Sequence, residues 1–231
     1  MTDKAAIVWF IVESGTDARL VEGLATHVNL EVLARAVPGG RAVSQPTAVP
    51  VTVAAPGRVA FAWRVFQTLL RAESHDVVLV QGYALAALAA NLAARLRGNA
   101  CWMLVCSPVA EYYATRRKAG HSFSRLTSAG IGILAALNGR VGRGYVVLSH
   151  YLGDVVGRYA RGKPVHVIPV YGVDTRRFVM RSDRAVARAQ RGLPAVGQII
   201  FSSSRVAPEK DTSTLIDAFA MLVRDGRNVY V

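Results

Sequence analysis

The chain has 231 residues, of which 52% are hydrophobic and 19% are charged. This composition excludes an intrinsically disordered protein and allows one large α/β domain, or one domain and part of another. The net charge is +13, which favours anionic partners such as nucleotide phosphates, acidic lipid head groups or nucleic acid. The sequence carries neither zinc-finger spacing nor an aromatic RNP-like stretch, so nucleic-acid binding is not expected.

The N-terminal region and the cysteines predict a cytoplasmic protein. The apolar run that ends at Val12 is short, follows a single Lys4 and lacks a cleavage site of small residues, so it predicts a first strand rather than a signal peptide. Cys101 and Cys106 fall on opposite faces of one predicted strand, so we expect unpaired core thiols in a reducing compartment. The apolar tract 77–96 changes from β-like to Ala/Leu-rich midway, which predicts a strand and a helix rather than a membrane span.

Apolar runs and helical stripes alternate along the first 169 residues. Strands are predicted at 7–12, 30–34, 49–53, 77–80, 101–105, 145–148 and 165–168, and helices at 20–28, 59–70, 85–96, 126–137 and 151–159. This alternation predicts a doubly wound α/β domain over residues 1–169, with a parallel sheet covered by helices on both faces.

The segment 170–231 predicts the start of a second Rossmann-like domain. A turn and a polar helical piece at 183–191 precede a strand that begins at Gln198, a loop, and a helix that begins near Thr212. The apolar side chains predicted to face inward on this helix are Leu215, Ile216, Phe219, Leu222 and Val223. One strand-helix-strand unit leaves most of its sheet uncovered, so we expect this domain to be incomplete and prone to aggregation.

The loop before that helix carries two cations. Arg205 and Lys210 lie in the segment FSSSRVAPEKD, next to the predicted helix start. Free N–H groups at a helix N-terminus attract an anion, and a guanidinium can form paired hydrogen bonds with phosphate oxygens. The alternative is that both residues are solvated loop charges.

Three segments together resemble motifs of the retaining glycosyltransferases of family 4. They are VLSHYL at 147–152, VIPVYGVDTRRF at 167–178, and the R-x4-K element formed by Arg205 and Lys210. The resemblance implies a GT-B fold and transfer of a sugar from a nucleotide-sugar donor, with retention and without a metal or another cofactor. It also implies that Arg205 and Lys210 bind the donor diphosphate and neutralise the charge that develops on the leaving group.

The chain departs from the family's motifs at several positions. Asp211 stands where the family usually has glycine, so it either places a carboxylate near the phosphate or caps the helix. The turn after the first strand has a single glycine, Gly15, which either lets the backbone approach the donor phosphates or only shapes the turn.

The loop after residues 101–105 lacks the family's usual histidine and offers Ser107, Glu111 and Tyr112 as acceptor-side candidates. Glu111 either orients an acceptor hydroxyl, acts as a base or is a surface charge.

The resemblance predicts a glycosyltransferase acting on a carbohydrate or lipid-linked acceptor. The family's E-x7-E carboxylate pair would lie beyond Val231, so we expect the chain to be truncated and inactive by itself. The basic triplet 116–118 is either a solvated loop or a contact for an acidic acceptor or lipid, which leaves peripheral contact with the inner face of a membrane open. The alternative function is a non-catalytic basic module that binds nucleic acid or an acidic membrane surface.

Overall fold

The computed structural model describes most of the chain, in two compact units. The described residues are 6–37, 39, 42–43, 47–82, 84–108, 125–169, 172–176, 178–179, 183–204 and 210–230, with only the backbone described for 125–128. The first unit comprises the described residues up to 108 and those from 125 to 172. The second unit comprises those from 173 to 230.

Strands and helices alternate through the first unit. They are β1 (Ile7–Val12), α1 (Ala18–Ala25), β2 (Asn29–Arg35), β3 (Val51–Ala54), α2 (Arg58–Leu69), β4 (Val77–Gln81), α3 (Leu85–Arg97), β5 (Ala100–Val105), α4 (Arg125–Val141), β6 (Gly144–Val147), α5 (His150–Gly157) and β7 (Val165–Val167). The predicted α/β class with a parallel sheet flanked by helices is confirmed.

The seven strands of the first unit form one parallel sheet in the order β3-β2-β1-β4-β5-β6-β7. The chain first winds from β1 outward to β3, and then crosses to β4 on the other side of β1. The loops that follow β1 and β4 therefore leave the sheet in opposite directions and open a crevice at the carboxyl ends of these strands.

Each face of the sheet has its own apolar core because successive strand residues point to opposite faces. Phe10 and Val12 pack in a cluster with residues of α1, whereas Ile11 belongs to a cluster with residues of α2, α3 and α5. Burying a side chain as large as Phe10 contributes about 1.5–3 kcal/mol, so these two clusters are what hold the helices against the sheet.

The second unit contains α6 (Arg184–Gln190), β8 (Gln198–Ile199), α7 (Thr212–Arg224) and β9 (Val229–Tyr230). β8 and β9 pair in parallel in a sheet separate from the seven-stranded one. On α7, Leu215, Phe219 and Leu222 are half-buried, whereas Ile216 and Val223 are 57% and 50% exposed. The prediction that all five apolar residues face inward is therefore wrong for Ile216 and Val223.

The predictions that the apolar tract forms a strand and a helix, and that the two cysteines are unpaired, are confirmed. Residues 77–96 form β4 and most of α3, and no helix among the described residues is long and apolar enough to span a bilayer. Cys101 lies in the core on the α2–α3 side of the sheet, whereas Cys106 packs against the cluster on the α1 side. Both thiols are free.

Candidate functional site

The turn after β1 lies at the crevice between β1 and β4. Its Gly15 has a φ of 89°, a left-handed conformation that glycine adopts without strain. Gln81, at the end of β4, donates from Nε2 to the carbonyl of Gly15 (3.4 Å), and the N–H of Thr16 donates to the carbonyl of Ala42 (3.0 Å). Gly15 thus shapes a turn that is fastened both to β4 and to the loop after β2.

The start of α1 already carries a carboxylate. Asp17 is the N-cap residue, and its side chain accepts hydrogen bonds from the backbone N–H and the guanidinium of Arg19. The hydrogen bond from the Arg19 side chain holds the pKa of Asp17 below its ordinary value. A phosphate approaching Gly15 would therefore meet a helix end at which the N–H of Arg19 is already in use, with an ionised carboxylate beside it.

Glu13 is a buried carboxylate at the same crevice that sequence reasoning did not single out. It directly follows β1 and is 5% exposed. Its Oε2 accepts a hydrogen bond from the N–H of Ala86 in the first turn of α3 (3.4 Å), and its Oε1 lies 3.7 Å from Nε of Arg58. The positive end of α3 and Arg58 both stabilise this carboxylate. An acidic residue directly after a buried first strand was the available signal.

Arg35 fixes the backbone beneath this carboxylate. It is the last residue of β2, and it donates from Nε to the carbonyl of Glu13 (2.9 Å) and from Nη1 to the carbonyl of Pro56 (2.7 Å). One guanidinium therefore joins the loop after β1 to the loop that leads into α2. The position of the Glu13 backbone depends on it.

Two further polar atoms at this edge are buried without a hydrogen-bond partner among the described residues. They are Oγ1 of Thr16 and Oε1 of Gln81. A buried polar oxygen without a partner costs free energy, so such groups often mark places where a ligand or water binds. Together with Glu13, they form a group of oxygen acceptors at the carboxyl ends of β1 and β4.

The predicted acceptor-side candidates lie after β5. Ser107 is exposed, two residues beyond the end of that strand, whereas Glu111 and Tyr112 lie outside the described residues. Burial raises the pKa of Cys106, the residue before Ser107, to about 11. This thiol is therefore protonated at neutral pH and is not a nucleophile.

Lys210 and Asp211 lie at the entrance to α7 in the second unit, while Arg205 is outside the described residues. Lys210 is exposed, and Asp211 is the N-cap residue of α7. The Asp211 carboxylate accepts hydrogen bonds from the N–H of Thr214 (3.4 Å), from the Thr214 hydroxyl (2.8 Å) and from the Ser213 hydroxyl (2.9 Å). These bonds, chiefly the one from the Thr214 hydroxyl and then the one from Ser213, lower the pKa of Asp211. Of the two alternatives for Asp211, the helix cap is the one that the geometry supports.

The backbone at Asp211 has a conformation that is uncommon for residues other than glycine. Its φ of 45° and ψ of 52° lie in the left-handed region, which glycine adopts freely and aspartate tolerates better than most residues. The cap also brings a negative charge to the helix end that the resemblance assigns to phosphate binding.

No group of three or more His, Cys, Asp or Glu side chains among the described residues is arranged to hold a metal ion. No model of a known protein family matches the chain, and no curated protein sequence matches it significantly.

Proposed function

We propose that the chain forms the acceptor-side domain and the donor-phosphate loop of a nucleotide-sugar glycosyltransferase. The observation that carries this proposal is the left-handed backbone at position 211, directly after Lys210 and before α7. The motif that Arg205 and Lys210 resemble has glycine at this position, and the chain here adopts the conformation that glycine favours. The same bend would present Lys210 and the first turn of α7 to one anion.

The arrangement suits stabilisation of a leaving diphosphate. When the bond between the sugar and the diphosphate breaks, negative charge increases on the phosphate oxygens, and fixed cations lower the energy of that transition state. Arg205 would supply a two-pronged contact and Lys210 a compact charge. Asp211 would orient the helix start, at the cost of partly offsetting the charge of Lys210.

The first unit offers a complementary surface for the acceptor. Carbohydrate acceptors present many hydroxyl groups, which donate hydrogen bonds to oxygen acceptors. Glu13, Thr16 and Gln81 provide such oxygens at the carboxyl ends of β1 and β4, where doubly wound sheets bind their ligands. Glu111, Ser107 and Tyr112 follow β5 in sequence and are proposed to extend this surface.

The test is binding of nucleoside diphosphates to the 231-residue chain, measured by calorimetry with UDP, GDP and ADP. Removing a charged phosphate contact should weaken affinity for the preferred diphosphate by about 10- to 100-fold in Arg205→Ala and in Lys210→Ala. Where sugar transfer is measurable, Arg205→Ala should lower its rate by about 30- to 1,000-fold. Asp211→Gly should instead strengthen diphosphate binding, because it removes a carboxylate and keeps the left-handed bend.

The matched control is Arg191→Ala, which removes the same charge from an exposed residue at the end of α6. Its diphosphate affinity should equal that of the parent. The proposal is wrong if the parent binds none of the three diphosphates, or if Arg205→Ala and Lys210→Ala bind them as tightly as the parent does.

A further inference from the structure

Three helices on one side of the first unit carry no acidic residue. α2, α3 and α4 contain neither Asp nor Glu, but they contain Arg58, which pairs with Glu13 outside these helices, and the arginines Arg64, Arg95, Arg97, Arg125 and Arg140. They lie side by side, α2 against α3 and α3 against α4. Helices of soluble proteins usually carry charges of both signs on their outer faces. A layer of three helices whose charged residues are all basic is therefore expected to bind an anionic partner.

The outer faces of the same helices expose large apolar side chains. Trp63 on α2 is 59% exposed, Leu96 on α3 is 70% exposed and Ile133 on α4 is 60% exposed. On α4 the exposed positions after residue 128 are filled only by small or apolar residues and by Arg140. Apolar and basic groups side by side are the composition of surfaces that lie in the interface of an anionic bilayer.

A basic pocket opens where α3 and α4 end. It has a volume of about 470 Å³, and its lining includes Arg95, Arg140, Arg143 and Lys163. None of the described residues that line it is acidic, and none of these four cations forms an ion pair within the described part of the chain. Burial and the nearby charge of Arg95 lower the pKa of Lys163, as expected where positive charge is not balanced.

The pocket also contains buried oxygens that lack partners. Asn91 is 1% exposed and Asn99 is 9% exposed, and both line the pocket. The Oδ1 atom of each has no hydrogen-bond partner among the described residues. Such oxygens can accept hydrogen bonds from the hydroxyl or amine groups of a bound molecule, whose anionic part the four cations would hold.

Some exposed apolar residues are sequence neighbours of buried or pocket-lining residues on α3 and α4. Asn91 donates from Nδ2 to Oδ1 of Asn138 (2.8 Å), and this hydrogen bond joins α3 to α4 at these two residues. Leu92 and Leu137, the neighbours of these two residues along their helices, are 40% and 36% exposed. Leu96 follows one turn after Leu92, adjacent to the pocket-lining Arg95.

We propose that the outer face of α2, α3 and α4 docks on an anionic phospholipid bilayer, with a phosphate-bearing head group in the pocket between the ends of α3 and α4. The exposed apolar side chains enter the interfacial region while the exposed Arg64, Arg95, Arg97 and Arg140 contact lipid phosphates. The pocket is at the amino ends of β5 and β6, so the crevice at the carboxyl ends of β1 and β4 stays open. The inference does not depend on the proposed transfer activity.

Some of the basic residues at the pocket also stabilise the fold. The experiment has to distinguish that role from lipid binding. Lys163 donates to the carbonyls of Arg140 and Gly142 at the end of α4, so it caps that helix. Arginines near a helix C-terminus also complement the helix dipole. The variants below therefore leave Lys163 intact and change exposed residues.

The experiment is sedimentation of the 231-residue chain with vesicles of phosphatidylcholine, with and without phosphatidylglycerol. Binding should require phosphatidylglycerol and should fall as salt rises. Arg95→Gln/Arg140→Gln should lower the partition coefficient by about 10- to 30-fold, because each surface cation contributes about a factor of five. Leu96→Gln/Ile133→Gln should weaken it by about 5-fold or more without a change in charge.

Two controls make the result specific. Arg184→Gln/Arg191→Gln removes the same charge from exposed residues at the two ends of α6 in the second unit and should bind vesicles nearly as well as the parent. Arg95→Lys/Arg140→Lys keeps the charge and should retain most of the binding. Matching unfolding midpoints for all variants establish that a loss of binding is not a loss of folding.

Several outcomes would overturn the proposal. One is an equal loss of binding in the α6 control, which would show that only the net charge matters. A second is binding of soluble glycerol phosphate as tight as that of vesicles, which would make the pocket a site for a free metabolite. A third is that Leu96→Gln/Ile133→Gln binds vesicles as well as the parent does but is a monomer where the parent is a dimer. This result would make the face an interface between two copies of the chain.

Discussion

The carboxylate of Asp76 joins the amino ends of β1 and β4. It is 3% exposed and accepts hydrogen bonds from the N–H of Ile7 (2.9 Å), from Nε1 of Trp9 (3.1 Å) and from the N–H of Glu73 (3.0 Å). Burial by itself would raise the pKa of Asp76, but these donors together hold it below its ordinary value. The ionised form is therefore the one that stabilises the fold.

Replacing Asp76 by Asn should lower the free energy of unfolding at pH 7 by about 2–4 kcal/mol, because an amide cannot accept all three hydrogen bonds. The folded pKa lies below the unfolded one, so the contribution of Asp76 is complete above the unfolded pKa, near 4, and is lost as pH falls through the folded pKa. Urea unfolding at pH 7 and at decreasing pH measures this effect. The gap between parent and Asp76→Asn should narrow in acid.

The control is Asp154→Asn on the exposed surface of α5, which should change the free energy of unfolding by less than about 0.5 kcal/mol. If the gap between the parent and Asp76→Asn stayed constant down to the pH of acid unfolding, the assigned role of the ionised Asp76 carboxylate would be wrong.

At the scale of single elements, β6 begins at a position where only glycine fits. A Cβ on the buried Gly144 would lie 2.6 Å from Cζ3 of Trp102 and 2.7 Å from the carbonyl oxygen of Pro164. The indole comes from β5, and the proline precedes β7, so the close approach lies between neighbours of β6 in the sheet. The N–H of Tyr145 also donates to this Pro164 carbonyl (2.9 Å), so the carbonyl cannot easily move away.

Gly144→Ala should therefore lower the free energy of unfolding by about 1–3 kcal/mol through overpacking, as measured by denaturant titration. Gly23→Ala is the matched substitution, since Gly23 is inside α1 and nothing lies within 4 Å of its added Cβ. It should be neutral or stabilise the protein by up to about 1 kcal/mol, because alanine is the better helix former. Equal effects of the two substitutions would contradict the packing explanation.

At the scale of the whole molecule, the two units differ in how much they bury. The first unit has a core on each face of a seven-stranded sheet, whereas α6 and α7 contain no buried residue. Phe201 and Met221 of the second unit are 86% and 61% exposed. Fewer buried apolar groups mean a smaller free energy of local opening, and exposed apolar groups promote association.

Native-state hydrogen exchange should therefore show two levels of protection. We expect the amides of α7 to open with a free energy at least about 2 kcal/mol below that of the amides of β1, because β1 is paired on both sides and buried. Exchange measured by mass spectrometry after proteolysis resolves the two segments. Equal protection in α7 and β1 would show that the second unit is stabilised to the same degree as the first.

Local patterns in the amino-acid sequence were sufficient to predict the helices, the strands and the α/β class. Periods of two and of 3.6 residues placed the strand and the helix within the tract 77–96, because burial on one face leaves a local signature. The alternation of elements also indicated a parallel sheet. Local patterns could not separate the half-buried from the exposed positions of α7, since burial depends on what packs against a helix rather than on its own sequence.

The tertiary structure alone decided which distant residues meet. Crossing from β3 to β4 on the far side of β1 brings Gln81 to Gly15 and encloses Glu13 against α3. The cap formed by Asp211 became clear only from its hydrogen bonds with Ser213 and Thr214, because both the cap and the phosphate-site alternatives fit the same sequence. The basic face of α2, α3 and α4 likewise arises because the sheet places three separate acid-free segments side by side, which no local window of sequence contains.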